Sequence, residues 1–227
     1  MRALLFSDLG AGHRFCCSQQ VLRASNQRVR IQVQFVGSAF DVRHFPPCVA
    51  PEIAFLGRSN VGKSSLLNSL IGTKLAHVSS TPGRTQAINF FSMAWDGKPH
   101  HADLMLVDLP GYGYAKVSKS ITAEWPKFID PYLKKRGCLA LCVVLVDSNI
   151  PPQPSDQKLL SYLHFAGRPL CVVATKSDRI SKNALNYSLQ RLGGELSVPE
   201  IIPYSAKTHA GRNELWKAIR AASHSHA

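Results

Sequence analysis

The chain has 227 residues, with 27 lysines and arginines against 14 aspartates and glutamates, a formal net charge of +13. Hydrophobic residues make up 45% and charged residues 18%, which is enough apolar material for a core and excludes a disordered chain. No apolar run approaches the roughly 20 residues that span a bilayer, and the basic excess points to a polyanionic partner unless it serves solubility alone.

The first 30 residues carry Arg2, Arg14, Arg23, Arg28 and Arg30 against one acid, Asp8. Arg-rich, acid-poor starts occur in targeting peptides, but the apolar stretch 3–6 is too short for a signal core. Residues 1–30 are therefore expected to form a flexible basic extension, with regular structure beginning at Ile31. A buried strand over 52–56 enters a Gly-rich loop, and a helix follows over 64–71. Residues 72–85, rich in Ser, Thr, Pro and Gly, read as a loop. Two β-type runs, 88–95 and 102–107, flank Asp96-Gly97 as a hairpin. Helices are predicted over 121–136, 156–165, 182–196 and 211–222, and strands over 139–146, 170–174 and 201–204. This alternation predicts a three-layer α/β domain whose six-stranded sheet is mostly parallel with one antiparallel strand.

Six cysteines occur, Cys16, Cys17, Cys48, Cys138, Cys142 and Cys171, and none forms a C-x-x-C pair. Cys142 and Cys171 lie in apolar runs, where a reduced thiol packs as a small hydrophobe. Neither a disulfide nor a zinc site is expected, which suits a reducing cytoplasm.

The strongest chemical signal is the run Gly57, Arg58, Ser59, Asn60, Val61, Gly62, Lys63, Ser64, which matches G-x-x-x-x-G-K-[ST] between a strand and a helix. Gly57 and Gly62 allow backbone N–H groups to turn towards phosphate oxygens. The helix N-terminus adds partial positive charge. Lys63 is placed to reach the β- and γ-phosphates, and the Ser64 hydroxyl to ligate Mg²⁺. Asp108, Leu109, Pro110 and Gly111 follow a strand: the carboxylate can hold Mg²⁺ through water, and the Gly111 N–H can meet a γ-phosphate. Thr81 and Thr85 are candidates for a second Mg²⁺ ligand, and Thr85, just before a strand, is preferred.

Thr175, Lys176, Ser177 and Asp178 match [NT]-K-x-D after another strand. The Asp178 carboxylate can accept from N1–H and N2–H₂ of guanine together, a donor pair adenine lacks, and the Lys176 stem can lie over the base. Thr in place of the Asn found in many GTPases predicts a weaker tie between this loop and the phosphate loop. After the last strand, Ser205, Ala206 and Lys207 offer a backbone N–H at Ala206 for guanine O6. A P-loop kinase using ATP is disfavoured by this loop and by the lack of a lid segment.

Five signals in this order make a small GTPase-type G domain. The finer pattern, GRSNVGKSS at 57–65, TPGRTQAINFF at 81–91, VDLPGYGYAKVSK at 107–119 and TKSD at 175–178, resembles the EngB (YihA/YsxC) family of bacterial ribosome-biogenesis GTP-binding proteins over residues 31–227. The resemblance implies a three-layer P-loop G domain binding GTP and GDP with Mg²⁺ held by Ser64 and Thr85, and a cytoplasmic protein. It implies catalysis centred on Lys63, Thr85 and Gly111, a first switch at Gly83, Arg84, Thr85, Gln86 and Ala87, and a base site completed by Tyr204, Ser205 and Ala206. It implies action on the large ribosomal subunit or its precursor through rRNA, with a need for the protein in cell division and septation. Neither DNA nor stable membrane insertion is implied. A septum or membrane-associated adaptor is the alternative. Tyr112 stands where many GTPases place a water-orienting Gln, so intrinsic hydrolysis should be slow. Asn60 is a candidate K⁺ ligand of the kind used by related Era-like GTPases, although Asn also suits tight loops. Lys116, Lys119, Lys127, Lys134, Lys135 and Arg136 form a basic stretch that could face RNA phosphates.

Overall fold

The computed structural model describes residues 18–24, 27–72, 87–95, 102–112 and 119–225, with backbone alone before Ile31 and over 119–126. Among these described residues, eight strands form a single sheet: β1 (Ser18–Ala24), β2 (Gln27–Ala39), β3 (Glu52–Gly57), β4 (Ile88–Trp95), β5 (Leu104–Asp108), β6 (Leu139–Asp147), β7 (Leu170–Thr175) and β8 (Ile201–Pro203). Their order is β1-β2-β4-β5-β3-β6-β7-β8. The ladders from β5 through β3, β6 and β7 to β8 are parallel, and those joining β1, β2, β4 and β5 are antiparallel. Five helices cover the sheet: α1 (Lys63–Ile71), α2 (Lys119–Lys135), α3 (Pro154–Phe165), α4 (Lys182–Leu196) and α5 (Arg212–His224).

The central strands are apolar at every core position, so alternate residues serve opposite faces. Ile53, Phe55, Val143 and Leu145 pack with α1 and α5 through Leu67, Leu70, Leu215 and Ile219. Ala54, Leu56, Val144 and Val146 pack with α2, α3 and α4 through Ile129, Leu133, Leu160 and Leu192. At the far end of β4, Trp95 meets Trp216 of α5 edge to face at 5.4 Å, and the Arg220 guanidinium lies over Trp95.

One acid, Glu52, is wholly buried where β3 begins. It accepts from Arg136 Nε and Nη2, at 3.1 and 2.6 Å, and from the Tyr132 hydroxyl at 2.9 Å. A buried carboxylate requires such partners. Burial, reinforced by this carboxylate, keeps the Tyr132 phenol protonated.

Three expectations are corrected. The sheet has eight strands where six are predicted. The two extra strands pair with each other and β2 pairs with β4, so strands begin ahead of Ile31, where regular structure is expected to start. The signal lay in the alternation of Val29, Ile31 and Val33 with Arg30, Gln32 and Gln34; Ile31 and Val33 are buried. Second, Cys48 and Cys138 form a disulfide with Cα atoms 5.7 Å apart. They are 90 residues apart in sequence, and pairing of β3 with β6 brings them together: Glu52 N donates to Cys138 O at 2.7 Å. Spacing along the chain carries no trace of that contact. Burial pushes the Cys142 and Cys171 thiols up to about 12 and about 11, so both stay protonated as small hydrophobes. Third, Arg136 is committed to Glu52 and is not part of a solvated basic face. The other element ends differ from the predicted ones by a few residues at most, the usual scatter at fraying termini.

Candidate functional site

The C-terminal ends of the parallel strands converge on one rim, where α/β sheets bind ligands. β3 delivers the loop 57–62 into α1. Gly62 caps the helix with φ of 103°, a conformation that disfavours a Cβ. Gly57 is required for a different reason: a Cβ there would lie 2.7 Å from Val61 Cγ1. Asn60 adopts φ of 65°, so its residue type already suits the turn. The first turn of α1 contains no acid, leaving its N–H groups and positive end to an anion.

Lys63 and Asp108, from α1 and the end of β5, form a buried ion pair. Ser64 follows Lys63 on the same helical turn. The Ser64 hydroxyl at the start of α1 and the Asp108 carboxylate at the end of β5 are hard oxygen donors of the kind Mg²⁺ takes, so the residues fit that ion. Gly111 lies against the phosphate loop: a Cβ would fall 3.0 Å from Ser59 Oγ. Ala87 is buried just before β4. Gly83, Arg84, Thr85 and Gln86 lie outside the described residues, as does Thr81.

On the other side of the loop, a cavity of about 580 Å³ opens between Gly62, Leu66, Lys176, Asp178 and Ala206. Lys176 adopts φ of 59°, and its ammonium donates to Asn60 O at 2.9 Å and Asp147 Oδ2 at 2.7 Å. This pins the side chain between the β6 end and the phosphate loop, with its stem along the cavity. Thr175 Oγ lies 2.6 Å from Val61 O and 3.0 Å from Val146 O. The tie that Thr is expected to weaken is therefore made, through the hydroxyl. Thr175→Val leaves a buried carbonyl without its donor and should lower stability by about 1–3 kcal/mol. Urea unfolding reads this as a lower midpoint at constant slope; an unchanged midpoint removes the hydroxyl from the account.

Asp178 is exposed at the cavity mouth. Ser205 Oγ donates to its Oδ1 at 2.6 Å and itself accepts from Lys207 N and Thr208 N. That hydroxyl holds the Asp178 carboxyl below the usual carboxylate range. Tyr204 is buried. Its carbonyl accepts from Ser177 N at 3.2 Å, so it shapes the base loop through its backbone. The structure thus brings the segments 57–64, 108–111, 175–178 and 204–206 together around one cleft.

Sequence reasoning missed Asp147, Asn149 and Asp156. Burial opposes ionisation of Asp147, yet bonds from Lys176 and Asn149 hold its carboxyl below the usual range. Its position at the C-terminal end of a buried parallel strand, like that of Asp108, was the available signal. Asp156 completes a capping box with Gln153 at the start of α3.

Residues 52–176 match a family model described as 50S ribosome-binding GTPase. A probable GTP-binding protein EngB from Koribacter versatilis is 58% identical over 191 residues, covering 84% of this chain and 94% of that protein. Its counterpart from Kosmotoga olearia is 44% identical, covering 83% and 97%. A crystal structure of a probable GTP-binding protein EngB superposes with a TM-score of 0.62 at 24% identity, covering 77% of this chain and 99% of that one. The same score, at 25% identity, relates 75% of this chain to 55% of Era in complex with MgGDPNP and nucleotides 1506–1542 of 16S ribosomal RNA. The chain belongs to the EngB family of GTP-binding proteins and is a P-loop GTPase.

Proposed function

We propose that this GTPase is a nucleotide switch in assembly of the large ribosomal subunit, acting in the cytoplasm and needed for normal cell division and septation. The observation that carries the reading is the match of the nucleotide-binding core to a family described by ribosome binding, in a chain of net charge +13. GTP and GDP would occupy the cleft, with phosphates on 57–64, the base against Lys176, Asp178 and Ala206, and Mg²⁺ on Ser64 and Thr85. Lys127 and Lys135 are exposed on α2, whereas Lys134 is shared with Asp130 at 3.0 Å. Among the described residues no helix is long and apolar enough to cross a membrane. Sedimentation with ribosomal particles tests the reading. Co-pelleting with the large subunit should depend on a non-hydrolysable GTP analogue and be lost with GDP. Co-pelleting with anionic vesicles instead would favour a membrane adaptor.

Intrinsic hydrolysis would be slow, since Tyr112 offers no water-orienting amide, and K⁺ held at Asn60 would supply positive charge for the leaving group. Because Asn60 sits at positive φ, Asn60→Gly is the clean variant. Turnover in K⁺ should exceed that in Na⁺ at equal ionic strength for the unmodified chain and not for Asn60→Gly. Equal rates in both salts would remove the ion from the mechanism.

A further inference from the structure

Two carboxylates among the described residues have no exposure at all, Glu52 and Asp156. Glu52 sits at the end of β3 away from the cleft, whereas Asp156 reaches the cleft from α3. Its Oδ2 accepts from Gln153 N at 2.9 Å, which is all a helix cap requires. The other oxygen does something a cap does not. Tyr112 donates its hydroxyl to Asp156 Oδ1 at 3.0 Å, and Arg58 Nε lies 3.2 Å from the same atom.

Those two residues belong to the two segments assigned to phosphate. Arg58 is the second residue of the phosphate loop, and Tyr112 directly follows Gly111. Their backbones also form an isolated parallel bridge, in which Ser59 N donates to Tyr112 O at 3.1 Å and Tyr112 N to Gly57 O at 3.3 Å. Gly111 thus lies between β5, which ends at Asp108, and the bridged Tyr112. Its Cα approaches Ser59 so closely that a Cβ would fall 3.1 Å from Ser59 N. Tyr112 is mostly buried, and burial together with Asp156 keeps its phenol protonated, so it remains the donor.

We propose that Asp156 is a positioning residue for the second switch, holding Gly111 against the phosphate loop through the Tyr112 hydroxyl and so favouring GTP over GDP. The reasoning rests on the reading of 108–111 as the γ-phosphate-sensing segment. A γ-phosphate meets a pre-placed N–H at Gly111, whereas GDP has no group there. Releasing the latch makes GTP binding bear the cost of ordering this segment and leaves GDP binding alone.

The test is competition of a non-hydrolysable GTP analogue and of GDP against a fluorescent guanine nucleotide, on the full chain. Tyr112→Phe removes one oxygen and leaves Arg58 to neutralise Asp156, so the fold is kept. It should weaken the GTP analogue by about 5- to 20-fold with GDP within about twofold. Asp156→Asn should shift the ratio the same way. Unchanged ratios in Tyr112→Phe, equal losses for both nucleotides, or tighter GTP binding would each overturn the proposal. Lys63→Ala is the control for the underlying reading. It must lose both nucleotides, and if it binds as the unmodified chain does, the assignment of the phosphate site has failed and not the latch.

Discussion

Asp178→Asn is expected to lower affinity for GTP and GDP by about 30- to 1000-fold while improving binding of xanthine nucleotides. The carboxylate offers two acceptors to the two guanine donors, a bidentate charged pair whose loss costs roughly 2–4 kcal/mol. An amide presents one acceptor and one donor, which suits the carbonyl that xanthine carries in place of the guanine amino group. Ser205 strengthens the expectation, since its hydroxyl fixes Oδ1 at 2.6 Å and thereby orients the whole group. The same bond sets the pH response. Because the carboxyl is held below its ordinary value, its contribution is complete above that value and is lost only as pH falls through the lowered one. Guanine selectivity should therefore be lost at a lower pH than the range near 4 in which a free aspartate protonates. Isothermal titration of GDP, GTP and XDP against the variant checks the first point; GDP affinity matching the unmodified chain would remove Asp178 from base recognition.

The second large effect concerns Lys63. Without it Asp108 is a buried carboxylate whose ion-pair partner is gone, and breaking such a pair costs about 3–5 kcal/mol. Lys63→Met should therefore lower the urea unfolding midpoint of the nucleotide-free protein as well as abolish measurable phosphate-dependent binding. The two losses have separate origins and can be pulled apart. Adding Asp108→Asn removes the stranded charge, so the double variant should regain most of the stability and none of the affinity for GTP. Recovery of both would mean that Lys63 acts on nucleotide only by keeping the fold intact. Recovery of neither would mean that Asp108 is not the charge left uncompensated.

That segments 57–64, 108–111 and 175–178 fall at the ends of strands on one rim was legible because each depends on residue types at fixed short spacing, with the polar residue set at the end of an apolar strand. Six of the eight strands, and the helices between them, followed from the same alternation. What stayed hidden is contact between segments far apart in the chain. Asp156 merely opens the predicted helix 156–165, and nothing along the sequence tells that one of its oxygens meets Tyr112, 44 residues earlier. Arg136 counts as a surface charge until Glu52 is seen to be buried beside it. Cys48 and Cys138 look like unrelated thiols until β3 and β6 are placed side by side. The hairpin β1–β2 is a different case: its period-two pattern is present in the sequence but is shared with a run of arginines that by composition suits an exposed basic arm equally well. Thr175 shows the opposite case, in which a departure from the common residue looks like a loss and the hydroxyl supplies the same link.

The edge-to-face pair of Trp95 and Trp216 has an optical consequence. Trp216 is buried and Trp95 partly so, and both lie at the end of β4 opposite the strand end that follows Ala87. Two indoles 5.4 Å apart, held by packing and by Arg220, exchange excitation and emit as one unit whose surroundings do not include the cleft. The third indole in the sequence, Trp125, belongs to α2, the helix that follows the second switch. Emission from the Trp95–Trp216 pair thus reports on the end of the sheet away from the cleft, where Trp95→Phe should uncouple the two indoles without touching the nucleotide-binding rim.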